Sequence, residues 1–564
     1  MRLQLLCSTD ETQKPSPIEG EAAGRETNEK VDADEKSPLP KGASISGYVV
    51  DAETGETIIG ASVYFPDGKL GAATNVDGYF VIKRIPSGTK RLVVESIGYV
   101  TYEEEITFAT DASIRRTFEL VPQVDESVVS VTAEREKREI SVSRVEIPVE
   151  QLAQLRIGGE ADVFRALQFL PGVLTSSQIS SGLYIRGGSP DQNLVLVDGA
   201  TVYNPSHLLG FFSTFNPDAI KDVDLIKGAF PAEYGGRLSA VLDLRQKDGN
   251  SKEFEGVASL GLISSRLSLQ GPVGDGSFFL GGRRTYLDLI TNLLPDDPEN
   301  PFPEFYFWDV NAKLTQRLGE NDAIQISGFA SEDELGLDGS GLNLSLGLAN
   351  YVGGIRWTHT FADDLFFVLN TTASRYRTGF DGENSGFFFS AENTIDDITG
   401  KGRLEWYESE DLTIKTGFDI TKYRFNYTQN FTGDSSTNAV EGQNDAGLVN
   451  LVVDDWTYAG FLQAKYSLTD ELALQGGLRL DYFDLSESLT FDPRAAIRWQ
   501  ITPDFALKAG WGIYHQYLRL ATQPDFTFFD TWMPTDSSVV PARALHYVLS
   551  STTQLPWDLE LNVD

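Results

Sequence analysis

LALQGGLRLDY, Leu472 to Tyr482, decides the fold. Leu472, Leu474, Leu478, Leu480 and Tyr482 share one face of an extended chain, while Gln475, Arg479 and Asp481 share the other, because successive side chains of a strand point to opposite sides. The pattern recurs. In FALKAGWGIYH the apolar face is Phe505, Leu507, Ala509, Trp511 and Ile513; in DLTIKTGFDI it is Leu412, Ile414, Phe418 and Ile420, with Thr413, Lys415 and Asp419 opposite. Such runs exceed the roughly 5 to 6 residues of an ordinary soluble strand and match the roughly 9 to 11 that cross a bilayer at a tilt. The alternative is a large soluble β-sandwich. It needs a second sheet over every apolar face, and it explains less well the Trp and Tyr near strand ends, which suit the two membrane interfaces.

Working outward, strands of this kind fill residues 255–564, and their connections alternate in length as an outer-membrane barrel requires. Leu318 to Asp322, Phe361 to Asp364, Glu408 to Asp411 and Thr469 to Glu471 are short; Gly336 to Leu348, Gly379 to Asn393, Asn430 to Asp455 and Ala521 to Ala542 are long and polar. About fourteen candidate strands follow Val257, against about 22 in large plugged transporters. The last, DLELNVD, lacks the terminal aromatic of such barrels, so the expectation is a barrel incomplete at its C-terminus.

Composition agrees with a mainly-β protein. A chain of 564 residues with 52 Gly, 34 Phe, 21 Tyr and 8 Trp, but only two Met and one Cys, suits strands and turns better than packed helices. The net charge of −36 argues against nucleic acid, which is gripped by Lys and Arg clusters. That acidity fits long solvated loops or adaptation to high salt. No run of about 18 apolar residues occurs, which excludes a membrane-crossing helix and leaves a β-barrel open. Cys7 is alone, so no internal disulfide forms and the redox compartment is not legible. The apolar run in MRLQLLCSTDET is too short for an ordinary signal peptide; Leu5-Leu6-Cys7-Ser8 faintly resembles a lipoprotein cleavage site, and a mis-started or truncated export signal is the favoured reading.

Residues 1–42 are rich in Glu, Lys, Pro, Ser and Thr and read as a disordered leader. From residue 43 to 122 short alternating runs, SISGYVVD, ASVYFP, GYFVIK, RLVVESIGYV and RRTFELV, are separated by turn signals such as Asp77-Gly78 and predict a small antiparallel β-sandwich. GYVVDAETGE, IIGASVYF, GAATNVDGYFVIKRIPSG and SIGYVTYE together resemble the carboxypeptidase regulatory-like domain, most specifically at TNVDGYF. Residues 138–249 mix a helix-like piece, GEADVFRALQFLPGV with Val163, Leu167 and Leu170 on one face, with strand-like pieces. LPGV at 170–173, LYIRGG at 183–188, DQNLVLVDGATVYNPSH at 191–207, FNPDAIKDVDLIKG at 215–228 and PAEYGGRLSAVLDL at 231–244 resemble, in order, the α+β plug domain of TonB-dependent outer-membrane receptors.

Between these two domains, in the linker 123–137, lies ESVVSVTAEREK, a strand-forming core with no sheet of its own. A segment of that kind adds to another protein's sheet edge, and its place implies the TonB box: Glu126, Ser127, Val128, Val129, Ser130, Val131, Thr132 and Ala133. The plainer alternative is a last sandwich strand or an inert tether. The resemblance further implies that Arg186 and Arg237 make charged contacts between plug and barrel wall. Gly187, Gly188, Asp198, Gly199, Tyr234, Gly235 and Gly236 supply the tight turns around them. Tyr203, Asn204, His207, Phe211 and Phe212 face the ligand vestibule or pack inside the plug.

Four His at 207, 359, 515 and 546 form no zinc motif, and neither a nucleophile elbow nor a phosphate loop occurs; no catalysis, metal or cofactor is expected. Asp296-Asp297-Pro298-Glu299 reads as solvated loop charge rather than a Ca²⁺ site. The resemblance implies active import through the outer membrane of a Gram-negative-type bacterium, of an oligosaccharide, peptide, siderophore or vitamin. Implied partners are the TonB energy-transducing protein, outer-membrane lipids, the small or medium-sized ligand and a surface lipoprotein. A surface binding or adhesion protein using the β-sandwich and barrel loops is the alternative.

Overall fold

The computed structural model describes residues 42–66, 70–123, 140–148, 156–157, 160–175, 182–207, 210, 212–261, 263–291, 293, 304–339, 342–384, 387–432, 448–523, 526–556 and 559–564. The leader to residue 41, the expected TonB box at 126–133, Phe211 and the acidic run 296–299 lie outside them.

The alternating runs of residues 43–122 fold into two small sheets. One orders Tyr79–Ile85, Ala43–Asp51 and Ser113–Leu120; the other orders Leu70–Ala73, Ser62–Phe65, Gly88–Glu95 and Tyr102–Phe108. Ile45, Val49, Val63, Phe80, Leu92 and Phe118 are among the side chains that close the core between them. The expectation of an antiparallel sandwich needs one correction. Ala43–Asp51 pairs in parallel with Ser113–Leu120, from Ser44 beside Ser113 to Asp51 beside Leu120. A parallel pair needs a long crossover, and the intervening strands supply it.

The plug carries a five-stranded mixed sheet ordered Ala200–Thr201, Asn193–Val197, Ala240–Gln246, Ile220–Lys227 and Arg144–Pro148. Its continuous apolar runs, such as Leu194 to Val197, are buried on both faces, as a sheet enclosed by other structure requires. The helix expected to be amphipathic is only Val163–Leu167, with all five residues buried; the Asp162 side chain caps it by accepting from the Arg165 N–H. A helix sunk in the plug core has no wet face, so the amphipathic pattern overstated its length.

The wall is a fifteen-stranded antiparallel sheet running from Glu255–Leu260 to Leu559–Val563. The alternating faces fall as their chemistry demands. Leu474 and Leu480 are 38% and 42% exposed on the outside, while Arg479 and Asp481, on the inside, are 4% and 3% exposed. Outward apolar and inward polar is the signature of a barrel in lipid; a soluble sandwich would bury the leucines. Phe361, Trp406, Tyr466 and Trp499 are exposed beside the short turns, where amphipathic rings mark the interface. The long connections are partly strand. Leu342–Ala362 and Phe387–Tyr407 each run 21 residues, so the ladder continues well past the hydrocarbon core and absorbs much of Gly336 to Leu348 and Gly379 to Asn393. Ala521 to Ala542 contains a whole strand, Phe526–Pro534, which forms a separate hairpin with Leu518–Gln523.

Candidate functional site

The lumen of the wall is filled. Two inward arginines hold the plug loop Phe230 to Arg237. Arg494 Nη1 donates to the carbonyls of Phe230, Pro231 and Tyr234 at 3.2, 2.5 and 2.6 Å, and its guanidinium lies 4.3 Å from the Tyr514 ring centre. Arg479 Nη1 reaches the Ala232 and Glu233 carbonyls at 3.5 and 3.4 Å and is itself held by the wall residues Asp419 at 2.8 Å and Asp481 at 3.0 Å, and Gln463 Oε1 accepts from the Ala232 N–H at 3.0 Å. The double glycine serves this contact. A Cβ on Gly235 would stand 2.2 Å from Arg479 Nε, and Gly236 has φ +77°, a conformation favouring glycine.

The Asp198-Gly199 turn meets the wall in the same way. Asn370 Nδ2 donates to the Asp198 carbonyl at 3.0 Å, and Lys313 Nζ lies 3.4 Å from its carboxylate. A Cβ on Gly199 would reach within 2.4 Å of Asn370 Nδ2. Lys313 also pairs with Asp248 at 2.9 Å, at the exit from the plug.

His207 sits in the most enclosed of these contacts. Its Nδ1 is 2.9 Å from Asp333 Oδ1, its Nε2 is 3.1 Å from Arg283 Nη2, and its ring stacks on Phe307 at 3.7 Å. Arg283 Nε donates in turn to Asp309 at 2.5 Å. Burial alone would lower the imidazole pKa, but the Asp333 charge and hydrogen bonds to Asp309 and Asp333 outweigh it and raise the pKa.

Tyr203 donates to Asp397 at 2.6 Å and packs with Tyr376 and Trp532. Asn204 gives its carbonyl to Asn350 Nδ2 at 3.0 Å, and Phe212 lies near Phe307. Arg237 is buried under Trp532. Arg186 has φ +48°, ahead of Gly187 and Gly188; it contacts Ser143 and pairs with Asp564 at 3.4 Å. Arg479, Arg494 and Lys313 were not singled out from the sequence. Their signal was present as charges on the inward face of membrane-length strands, where each needs a partner.

At the short-turn end the sandwich enters the mouth of the wall through TNVDGYF. Asp77 accepts from Arg356 at 2.6 Å and Arg403 at 3.2 Å, Tyr79 stacks on Phe366 at 5.2 Å, and Lys83 pairs with Asp364 at 2.7 Å. A cavity of about 830 Å³, lined by both signs of charge, separates sandwich, plug and wall.

Residues 45–131 match the profile of the CarboxypepD_reg-like domain, 136–241 the TonB-dependent receptor plug domain and 270–526 the TonB-dependent receptor-like β-barrel. The chain belongs to the TonB-dependent receptors. The receptor is 24% identical over 225 residues to the TonB-dependent transporter Oar of Myxococcus xanthus, covering 38% of this chain and 21% of that protein. It is 25% identical to the TonB-dependent receptor SusC of Bacteroides thetaiotaomicron, covering 39% and 22%. The matched part thus spans about a fifth of either relative. A mutant ferric enterobactin receptor of Pseudomonas aeruginosa superposes with TM-score 0.55 at 16% identity, over 76% of this chain and 71% of that one, a likeness of fold. The receptor is an outer-membrane protein, and its family is one of receptors and transporters, not enzymes. The sandwich profile extends to residue 131 and so overlaps the expected TonB box.

Proposed function

We propose that the receptor imports a ligand actively across the outer membrane. Capture takes place above the plug, and the TonB protein pulls on residues 126–133 to dislodge it. The observation that carries this reading is the filled lumen: Arg494, Lys313, Arg283 and, at longer range, Arg479 fasten the plug to the wall through buried polar contacts. A diffusion pore has no use for such a stopper. Breaking several buried charge-assisted hydrogen bonds, each worth about 1.5–3 kcal/mol, calls for external work, and the outer membrane has no nucleotide supply of its own. The adhesion reading finds less support, since the sandwich packs at the short-turn end while the long connections extend from the other end.

The test is uptake of labelled oligosaccharides, peptides, siderophores and vitamins by cells carrying the full-length gene, intact or with Val129→Pro. Proline removes a backbone donor and blocks strand addition. Persistent surface binding with lost accumulation is expected. Unchanged accumulation would make the segment a tether and sink the coupling role.

A further inference from the structure

We propose that Arg237 is the recognition group for an anion carried on a ring of the ligand, and that Trp532 holds the ring's place in the empty receptor. This rests on the import reading. Arg237 is 5% exposed, yet its Nε has no hydrogen-bond partner and its Nη1 reaches only the neighbouring Gly236 carbonyl at 3.0 Å. Among the described residues no carboxylate lies within ion-pair distance of it. Asp419 and Asp481 pair with Arg479 and Glu233 with Arg403, while Asp397 accepts from the neutral Tyr203 hydroxyl and acts on Arg237 only through space. A buried guanidinium with no counter-ion in contact is costly. Here it borders a cavity of about 80 Å³ shared with Tyr203, Tyr423, Phe483 and Tyr517.

Trp532 lies 5.1 Å from the guanidinium, with Tyr203 edge-on at 5.8 Å. It arrives on the hairpin strand Phe526–Pro534, which leaves the wall between Phe505–Gln516 and Ala542–Leu555 and crosses to Phe387–Tyr407 and Leu412–Thr432. The Trp532 backbone N–H donates to Asn393 Oδ1 there at 3.2 Å. A cation over an aromatic face is a weak substitute for a charge-assisted pair. A ligand ring bearing a carboxylate would take the indole's place against Tyr203 and supply the missing anion.

The shared chemistry is an anionic ring, from either an acidic sugar or an aromatic acid. The experiment is calorimetry on the full chain in detergent with trigalacturonate and 2-naphthoate, each against its neutral counterpart, galactotriose and 2-naphthylmethanol. At least one anion is expected to bind about tenfold tighter than its counterpart; which one names the source, and both together support the shared chemistry. Arg237→Gln should abolish the preference, Arg237→Lys should keep part of it, and Trp532→Ala should tighten binding by removing the competitor. A preference that survives Arg237→Gln, weaker binding in Trp532→Ala, or no anion preference in either wild type or Trp532→Ala overturns the proposal. Anion binding without energy-dependent accumulation would instead sink the import reading and leave this site standing.

Discussion

His207 shows how much one side chain fixes. With Arg283 positive and Asp309 and Asp333 negative, the cluster is neutral only when the imidazole is protonated. Its pKa is raised in the fold, so the stabilisation is fully present below the unfolded value of about 6.5 and is lost as pH rises through the folded value. Thermal unfolding followed across that range should show wild type losing stability toward alkaline pH. His207→Phe should be less stable by about 3 kcal/mol at acid pH and flat above it; an identical pH slope in both proteins would refute the assignment. Arg494→Met removes a charged donor from three carbonyls, leaving Phe230 the Tyr514 hydroxyl and Pro231 the Tyr234 N–H. It should loosen the plug loop by about 2–4 kcal/mol, read as raised ion conductance of the receptor in planar bilayers. Legibility at this scale was uneven. Asp198, Gly199, Gly235 and Arg237 stood out because their motifs lie close together in sequence. Their partners Asn370, Lys313 and Arg479 stand 100 or more residues away in the chain, and nothing local names which inward charge meets which turn.

Elements were most legible where one period repeats over many residues. The faces of Leu472–Phe483, Phe505–Gln516 and Leu412–Thr432 follow from alternation alone, because a one-residue slip would turn every leucine into the lumen. Contacts set by distant pairing were not legible: the parallel first and last strands of the sandwich, the inward hairpin carrying Trp532, and the shortness of Val163–Leu167. The junction between plug and wall offers a test of element geometry. Gly249 has φ +88°, and a Cβ there would stand 2.1 Å from the Phe278 carbonyl oxygen of the third wall strand, Gly276–Thr285. Gly249→Ala should therefore cost about 1–3 kcal/mol in thermal unfolding, whereas Gly319→Ala should cost less, since nothing lies within 4 Å of its Cβ position.

At the scale of the whole molecule, the sandwich and plug occupy one lumen from the same side, and the charged cavity between them lies on the path from plug to mouth. Asp77→Ala removes the carboxylate shared by Arg356 and Arg403, the second of which keeps Glu233 and Glu405. It should loosen the TNVDGYF turn against the rim without unfolding the sandwich, read as faster hydrogen exchange at Asn75 to Phe80 with the core strands unchanged. Equal exchange in both proteins would mean that the stacking of Tyr79 on Phe366 and the Lys83–Asp364 pair hold the turn without Asp77.

The sandwich in the mouth has a mechanical consequence. The strand ending at Leu120 and the strand beginning at Arg144 belong to two bodies, each moored to the same wall, so tension applied to the chain between them divides into two lines. The sandwich mooring is partly wet, with Lys83 and Asp364 25% and 30% exposed, while the plug loop hangs on Arg494, whose side chain is 5% exposed. Wet polar contacts yield at lower load than dry ones. Pulled from that segment, the receptor gives two rips in order, the lesser from the rim and the greater from the plug, so the mouth clears before the stopper moves.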